Sequence, residues 1–271
     1  MACHSLKHDG EELLGAVRGP DAPDVPWIRG IPLLHPWANR LGGFGYAFDG
    51  ESVALAPGSS DIYIEEHGLP LHGLRSAVHG WTVTESSDTR LVAGREFAGV
   101  AEFPFDHRLE VAAELSETTL TLTTTLHAGA RPVPIAFGYH PFLQLPNVPR
   151  AEWEITLPVA DRLLLDERLV PTGERVGAGD LDGPLGDRLF DDGFTLDELG
   201  GPFVLQGGGR RVEVAFEAGF PYAQIFAPAD ADIVCFEPMT AAADALRHSP
   251  DAVAPGESFA ARFSVSVLSK P

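Results

Sequence analysis

Cysteine is nearly absent: Cys3 and Cys235 are the only two in 271 residues, and they lie far apart in the chain. Neither a disulfide framework nor a CxxC metal knuckle can be built from them, and both are expected to be free thiols. Basic side chains are scarce too. Lys and Arg number 19 against 39 Asp and Glu, for a formal charge of -20. That balance argues against nucleic acid and anionic membrane surfaces as partners and makes a neutral ligand easier to accept than a polyanion. Nowhere do 18 apolar residues run together, and the opening MACHSLKHDGEELLG lacks the basic-then-apolar order of a signal peptide; a soluble, cytoplasmic protein is expected. The histidines show no HExxH or HxH spacing, so no metal is expected. Gly207-Gly208-Gly209 lacks the lysine of a phosphate loop and reads as a hairpin turn, and no GxSxG elbow occurs.

Helical periodicity is missing as well, whereas alternation of period two recurs from end to end. In Thr119–Leu126, Leu120, Leu122 and Leu126 point one way and the threonines at 119, 121, 123 and 125 the other. Val212, Val214 and Phe216 alternate similarly, as do Phe259, Phe263, Val265 and Val267, and further strands are expected at 81–85, 108–115 and 153–157. Gly and Pro, 29 and 23 residues, punctuate these runs with turns. The expectation is an all-β chain folded as a large antiparallel β-sandwich, one domain over residues 1–271, with single helical turns at 195–199 and 244–248.

Ile233-Val-Cys-Phe-Glu237-Pro-Met-Thr240 carries a carboxylate into an apolar run and fixes it before a proline. Such a carboxylate is either paired or raised in pKa, as a general base near neutrality must be; the plain alternative is a glutamate turned to solvent at a strand end. Gly138-Tyr139-His140-Pro141-Phe142 holds an imidazole between aromatic neighbours, a combination that suits a sugar, apolar on its C–H face and hydroxylated at its rim. Asn39-Arg40 offers fixed donors for vicinal hydroxyls or a carboxylate, His72-Gly73 a histidine beside a glycine that permits close backbone approach, and Asp191-Asp192-Gly193-Phe194 paired acids in an apparent turn. Each of these is also explained by ordinary structure: an arginine paired with an acid, a core histidine bonded to a carbonyl, a solvated turn.

Taken in order, Asn39-Arg40, His72-Gly73, Gly138-Tyr-His140-Pro-Phe142, Asp191-Asp-Gly-Phe194 and Phe236-Glu237-Pro-Met-Thr240 resemble the aldose 1-epimerase (galactose mutarotase) family, roughly from Leu6 to Val267. The resemblance implies a β-sandwich of the galactose mutarotase type, no cofactor, a small sugar as substrate, and interconversion of its α and β anomers. It makes Glu237 the general base and His140 the general acid, on opposite sides of the reacting carbon, with Arg40, His72 and Asp191 holding hydroxyls beside Asn39. Asp191 is preferred to Asp192 because the family's acid lies three residues before the phenylalanine. Where the family has His-Pro-Tyr-Phe-Asn, this chain has His140-Pro141-Phe142-Leu143-Gln144, so a phenol is lost from one wall. A carboxylate beside His140 is expected to raise its pKa, and a monomer or homodimer is expected. Rival readings are a hexose-6-phosphate mutarotase, with Arg75 as a local cation, a sugar-binding domain without catalysis, and a glycoside-cleaving enzyme using Asp191 with Glu237.

Overall fold

The strand Thr119–Ala128 shows how this sequence builds its layers. Leu120, Leu122, Leu126 and Ala128 are buried while the residues between them are half-exposed, so each buried leucine contributes about 1.5 to 3 kcal/mol of burial. Thr124 shares the inward face, fully buried, and its hydroxyl is satisfied by the Tyr139 hydroxyl. The computed structural model describes residues 1–17, 25–196, 200–248 and 250–269. Its ladders are antiparallel, and among the described residues it holds no α-helix, only short 3₁₀ turns such as Arg75–Val78 and Ala245–Arg247. The second of these falls within the turn expected at 244–248. The turn expected at 195–199 is corrected: Thr195 and Leu196 end a strand, and 197–199 lie outside the described residues.

Two large sheets carry the fold. One runs, in spatial order, Gly183–Pro184, Glu154–Thr156, Phe203–Gly207, Arg210–Ala218, Ser258–Ser269, Thr119–Ala128, His107–Leu115, Arg90–Phe97 and Thr82–Ser86. The other runs Ala2–Cys3, Ile31–Leu34, Gly138–Tyr139, Val234–Met239, Tyr222–Ala227, Phe190–Leu196, Val159–Leu165 and Pro171–Gly177, with Phe142–Leu143 also paired to Val234–Met239. Aromatic rings join them across the core: Tyr139 meets Phe263 at 5.0 Å and Phe236 meets Phe203 at 5.4 Å between ring centres. The hairpin at Gly208-Gly209, both at positive φ, links Phe203–Gly207 to Arg210–Ala218 as expected.

Register decides which side chains leave the core. Phe236 packs toward the first sheet, so Cys235, Glu237 and Met239 face the opposite way. Cross-strand partners share a face, and Gln224 lies opposite Glu237, Phe226 opposite Cys235, Gly193 opposite Gln224 and Asp191 opposite Phe226. Asp191 therefore joins Glu237, whereas Asp192, opposite Ile225, points to the other face and pairs with Arg162 at 2.5 Å. The acids read as a turn belong to the strand Phe190–Leu196, where a pair of adjacent residues is split between faces by the pleat.

Candidate active site

Glu237 stands between two small apolar clusters. Phe142, Ile233 and Cys235 form one; Val25, Trp27, Leu34, Ala38 and Met239 form the other. Glu237 is 1% exposed, and burial, reinforced by Asp191 and opposed by Arg40, pushes its carboxyl pKa well above the usual range. His140 is set by its own backbone N–H, which donates to Pro32 O at 3.2 Å, and by Phe142, whose ring stacks on the imidazole at 4.1 Å and 13°. Its Nε2 lies 3.2 Å from Glu237 Oε1. The two groups are thus immediate neighbours, which corrects the expectation that they stand on opposite sides of a reacting carbon. The expected raised pKa of His140 is also reversed: burial lowers the imidazole to about 3. Both shifts favour the uncharged pair, one proton held between carboxyl and ring. Glu237 Oε2 and His140 Nδ1 are buried with no hydrogen-bond partner among the described residues.

Segment 39–41 runs beside 70–72. His72 N donates to Asn39 O at 3.0 Å, Asn39 N donates to His72 Nδ1 at 3.2 Å, and Leu41 N donates to Pro70 O at 2.9 Å. Because Nδ1 accepts a backbone N–H, the neutral imidazole carries its proton on Nε2; burial holds His72 well below its ordinary pKa. The turn requires Gly73, at φ 75°, since a Cβ there would lie 2.2 Å from His35 O. Asn39, at φ 58°, spends its side-chain oxygen on Arg40: Oδ1 accepts from Arg40 N at 2.7 Å and from Nη1 at 3.4 Å. Its part is to fix Arg40. Asp244 does so from the other side, with its N–H donating to Arg40 O at 2.8 Å and its Oδ1 accepting from Gly42 N at 2.7 Å.

The Arg40 guanidinium lies between two carboxylates, Asp191 at 3.1 Å and Glu65 at 3.4 Å. Glu65 escaped the sequence reading, since Glu65-Glu66-His67-Gly68 looks like a solvated turn. It is 8% exposed and collects the N–H groups of His67 and Leu69 on Oε1 and the His67 ring on Oε2. The apolar run Ile62-Tyr63-Ile64 before it and Leu69-Pro70-Leu71 after it were the available signal. Gln224, also missed, donates to Asp191 Oδ1 at 2.7 Å. It reaches across Gly193, where a Cβ would press to 3.3 Å of its Oε1.

These groups converge on one cavity of about 410 Å³, within the roughly 300 to 1,000 Å³ of small-molecule sites. Asn39, Arg40, Glu65, Glu66, His72, His140, Asp191, Gln224 and Glu237 supply its polar lining, and Trp27, Tyr63, Phe142 and Phe226 its aromatic walls. All six residues picked from the sequence line it. Arg75 does not; its guanidinium packs over Tyr63 at 5.8 Å from the ring centre. Cavities of about 430 and 500 Å³ elsewhere are lined mostly by apolar and small side chains, so volume does not distinguish the site, whereas convergent buried polar groups do. Among the described residues no cluster of three or more His, Cys, Asp or Glu is arranged to hold a metal, and no helix is long and apolar enough to cross a membrane.

Solved structures share the fold. A candidate aldose 1-epimerase from Escherichia coli K12 is 24% identical, with 99% of this chain and 92% of that one covered at a TM-score of 0.77. A galactose mutarotase related enzyme from Lactobacillus acidophilus is 19% identical, with 97% and 89% covered at 0.78. A galactose 1-epimerase from Lactobacillus acidophilus NCFM is 14% identical, with 100% and 89% covered at 0.76. No curated protein matches the chain. The family model described as aldose 1-epimerase matches residues 6–266, a span that takes in every polar side chain of the cavity, and the chain belongs to that family.

Proposed function

We propose that this protein is an aldose 1-epimerase that interconverts the α and β anomers of a free aldose, with Glu237 and His140 carrying the protons. The observation that supports this most directly is a carboxyl and an imidazole 3.2 Å apart, buried on a cavity with aromatic walls. Opening a cyclic hemiacetal takes a proton from the C1 hydroxyl and gives one to the ring oxygen; C1–O5 breaks and the C1 carbonyl forms. Both oxygens are bonded to C1, so adjacent groups on one wall suffice. Glu237 as carboxylate takes the first proton and His140 as imidazolium gives the second. The open-chain sugar then faces a neutral carboxyl and a neutral imidazole, rotates about C1–C2, and recloses by the reverse transfers.

Burial favours that neutral pair. The resting site holds the same neutral pair, so the shared proton moves from carboxyl to ring across the 3.2 Å contact before opening, and the ring-opening transfers return the pair to the state that burial favours. His72 Nε2–H, Arg40 and Asp191 hold hydroxyls, and each positioned proton transfer is worth about 10² to 10⁴ in rate. The test is to dissolve pure α-anomers of glucose, galactose and several other aldoses and follow equilibration by polarimetry or NMR. Acceleration of at least one is expected. Sugar binding without acceleration of any would favour the binding-domain reading.

A further inference from the structure

We propose that this pocket sorts sugars by charge, admitting cationic and neutral aldoses and rejecting those that carry a phosphate or carboxylate. The inference deepens the mutarotase reading and rests on it. Its ground is the state of Arg40, the one permanent cation lining the cavity among the described residues. Its guanidinium is already held by Asp191 at 3.1 Å and Glu65 at 3.4 Å, and Asn39 Oδ1 takes up Nη1 at 3.4 Å. An arginine that serves an anionic ligand presents its fork to that ligand; here two carboxylates occupy it, and the trio is net negative. Glu66 adds a third carboxylate to the lining, exposed at its edge. His72 and His140 are uncharged for lack of solvent and offset none of this. Arg75 is turned onto Tyr63 and outside the lining. Around the pocket, the chain as a whole carries -20, which attracts cations and repels anions at long range.

The experiment uses three sugars that differ only at C6: 6-amino-6-deoxyglucose, glucose and glucuronate, with glucose 6-phosphate as a second anion. Equilibration of each is followed at low salt, and kcat/KM for the cation is expected to exceed that for either anion by about tenfold or more, glucose falling between. Raising the salt to about 0.5 M should compress the order by screening the chain's long-range charge, while the part set by the buried Arg40, Glu65 and Asp191 remains. Glu66→Gln should cut the cation-to-anion ratio several-fold; the ratio is taken within each variant, so a change in common rate cancels. Anions that react as well as glucose would overturn the proposal while leaving the mutarotase reading intact. If no sugar is turned over, the mutarotase reading fails, and calorimetric binding of the same four sugars then decides the charge order alone: tightest binding of the cation upholds it, and tightest binding of an anion overturns it.

Discussion

Two His-Pro pairs lie at opposite ends of one short ladder. Leu34-His35-Pro36 and Tyr139-His140-Pro141 follow strands whose register sets Leu34 against Gly138 and Leu33 against Tyr139. Both imidazoles are buried and both are held below their ordinary pKa by desolvation. His35 turns into the core, where its Nε2 meets His107 Nε2 at 2.9 Å and His107 Nδ1 donates to Phe105 O at 2.6 Å, with Phe97 stacked on His107 at 4.8 Å. His140 turns onto a cavity and meets a carboxyl. His35 Nδ1 and His140 Nδ1 are both buried with no partner among the described residues. A buried, depressed histidine is therefore no sign of chemistry by itself; a proton partner of different acidity beside open volume is.

The sharpest way to break this comparison is to disable each pair in turn. Glu237→Gln and His140→Asn should each lower kcat by about 10² to 10⁴ or more, and the double variant should cost far less than the product of the two, since the groups act as a unit. His107→Phe should leave kcat/KM within a few-fold. A His107→Phe enzyme as crippled as Glu237→Gln would erase the distinction drawn between the pairs.

Thermal unfolding against pH comes next in size. His107 is held at about 4 against 6.5 for a free imidazole, so between those values the unfolded chain binds the extra proton. Stability present above about pH 6.5 is lost as pH falls, up to about 3 kcal/mol for this one group. His35, His72 and His140 act in the same sense. Glu237, with its carboxyl raised, acts oppositely, contributing stability that fades as pH rises through its folded pKa. Melts between pH 7.5 and 5 should show a falling midpoint, with the slope flattened in His107→Phe and steepened in Glu237→Gln.

The activity profile should read the same difference within the site. The reactive pair carries one proton, so the acid limb of kcat/KM belongs to His140 taking a second proton, near about 3. The alkaline limb belongs to Glu237 losing the shared one, above the ordinary carboxylate range. Assignment of the limbs is thereby exchanged relative to an ion pair in the resting enzyme, and a profile that rises in the ordinary carboxylate range and falls above the ordinary imidazole range would instead indicate that ion pair. The smallest effect is expected at Asp191→Asn, which keeps shape and the Gln224 contact; KM should rise about tenfold with kcat little changed. A loss of kcat at constant KM would move Asp191 into the chemistry.

Strand alternation was legible because sheet faces repeat every two residues, and even Thr124 obeys it: it shares the parity of Leu122 and Leu126, faces inward with them, and has its hydroxyl satisfied by Tyr139 across the core. The positions of Glu237, His140, Arg40 and His72 could be picked out because glycine, proline and aromatic neighbours constrain them locally. Asp191 needed the family pattern, since nothing local separates it from Asp192; only pairing with Tyr222–Ala227 does. Glu65, Gln224 and Asp244 act through partners 25 to 202 positions away, a distance over which one sequence carries no periodicity to read. The charge state of the pair was misread for a related reason: proximity of opposite charges is visible in a motif, whereas the desolvation that outweighs it comes from residues scattered along the chain.

The split of Val234–Met239 into a core face and a cavity face also bears on how the chain finds its fold. A slip of one residue against Tyr222–Ala227 would drive Glu237 between the sheets and Phe236 out toward Arg40, and a slip of Phe190–Leu196 would exchange Asp191 with Asp192. The first slip buries a carboxylate with no partner and strands an aromatic ring, a double penalty of several kcal/mol; the second puts an acid where an acid already stood but turns the buried Phe194 out of the core. Acids that strain the finished protein thus mark its wrong assemblies as wrong, and they widen the energy gap that guides the central strands into place.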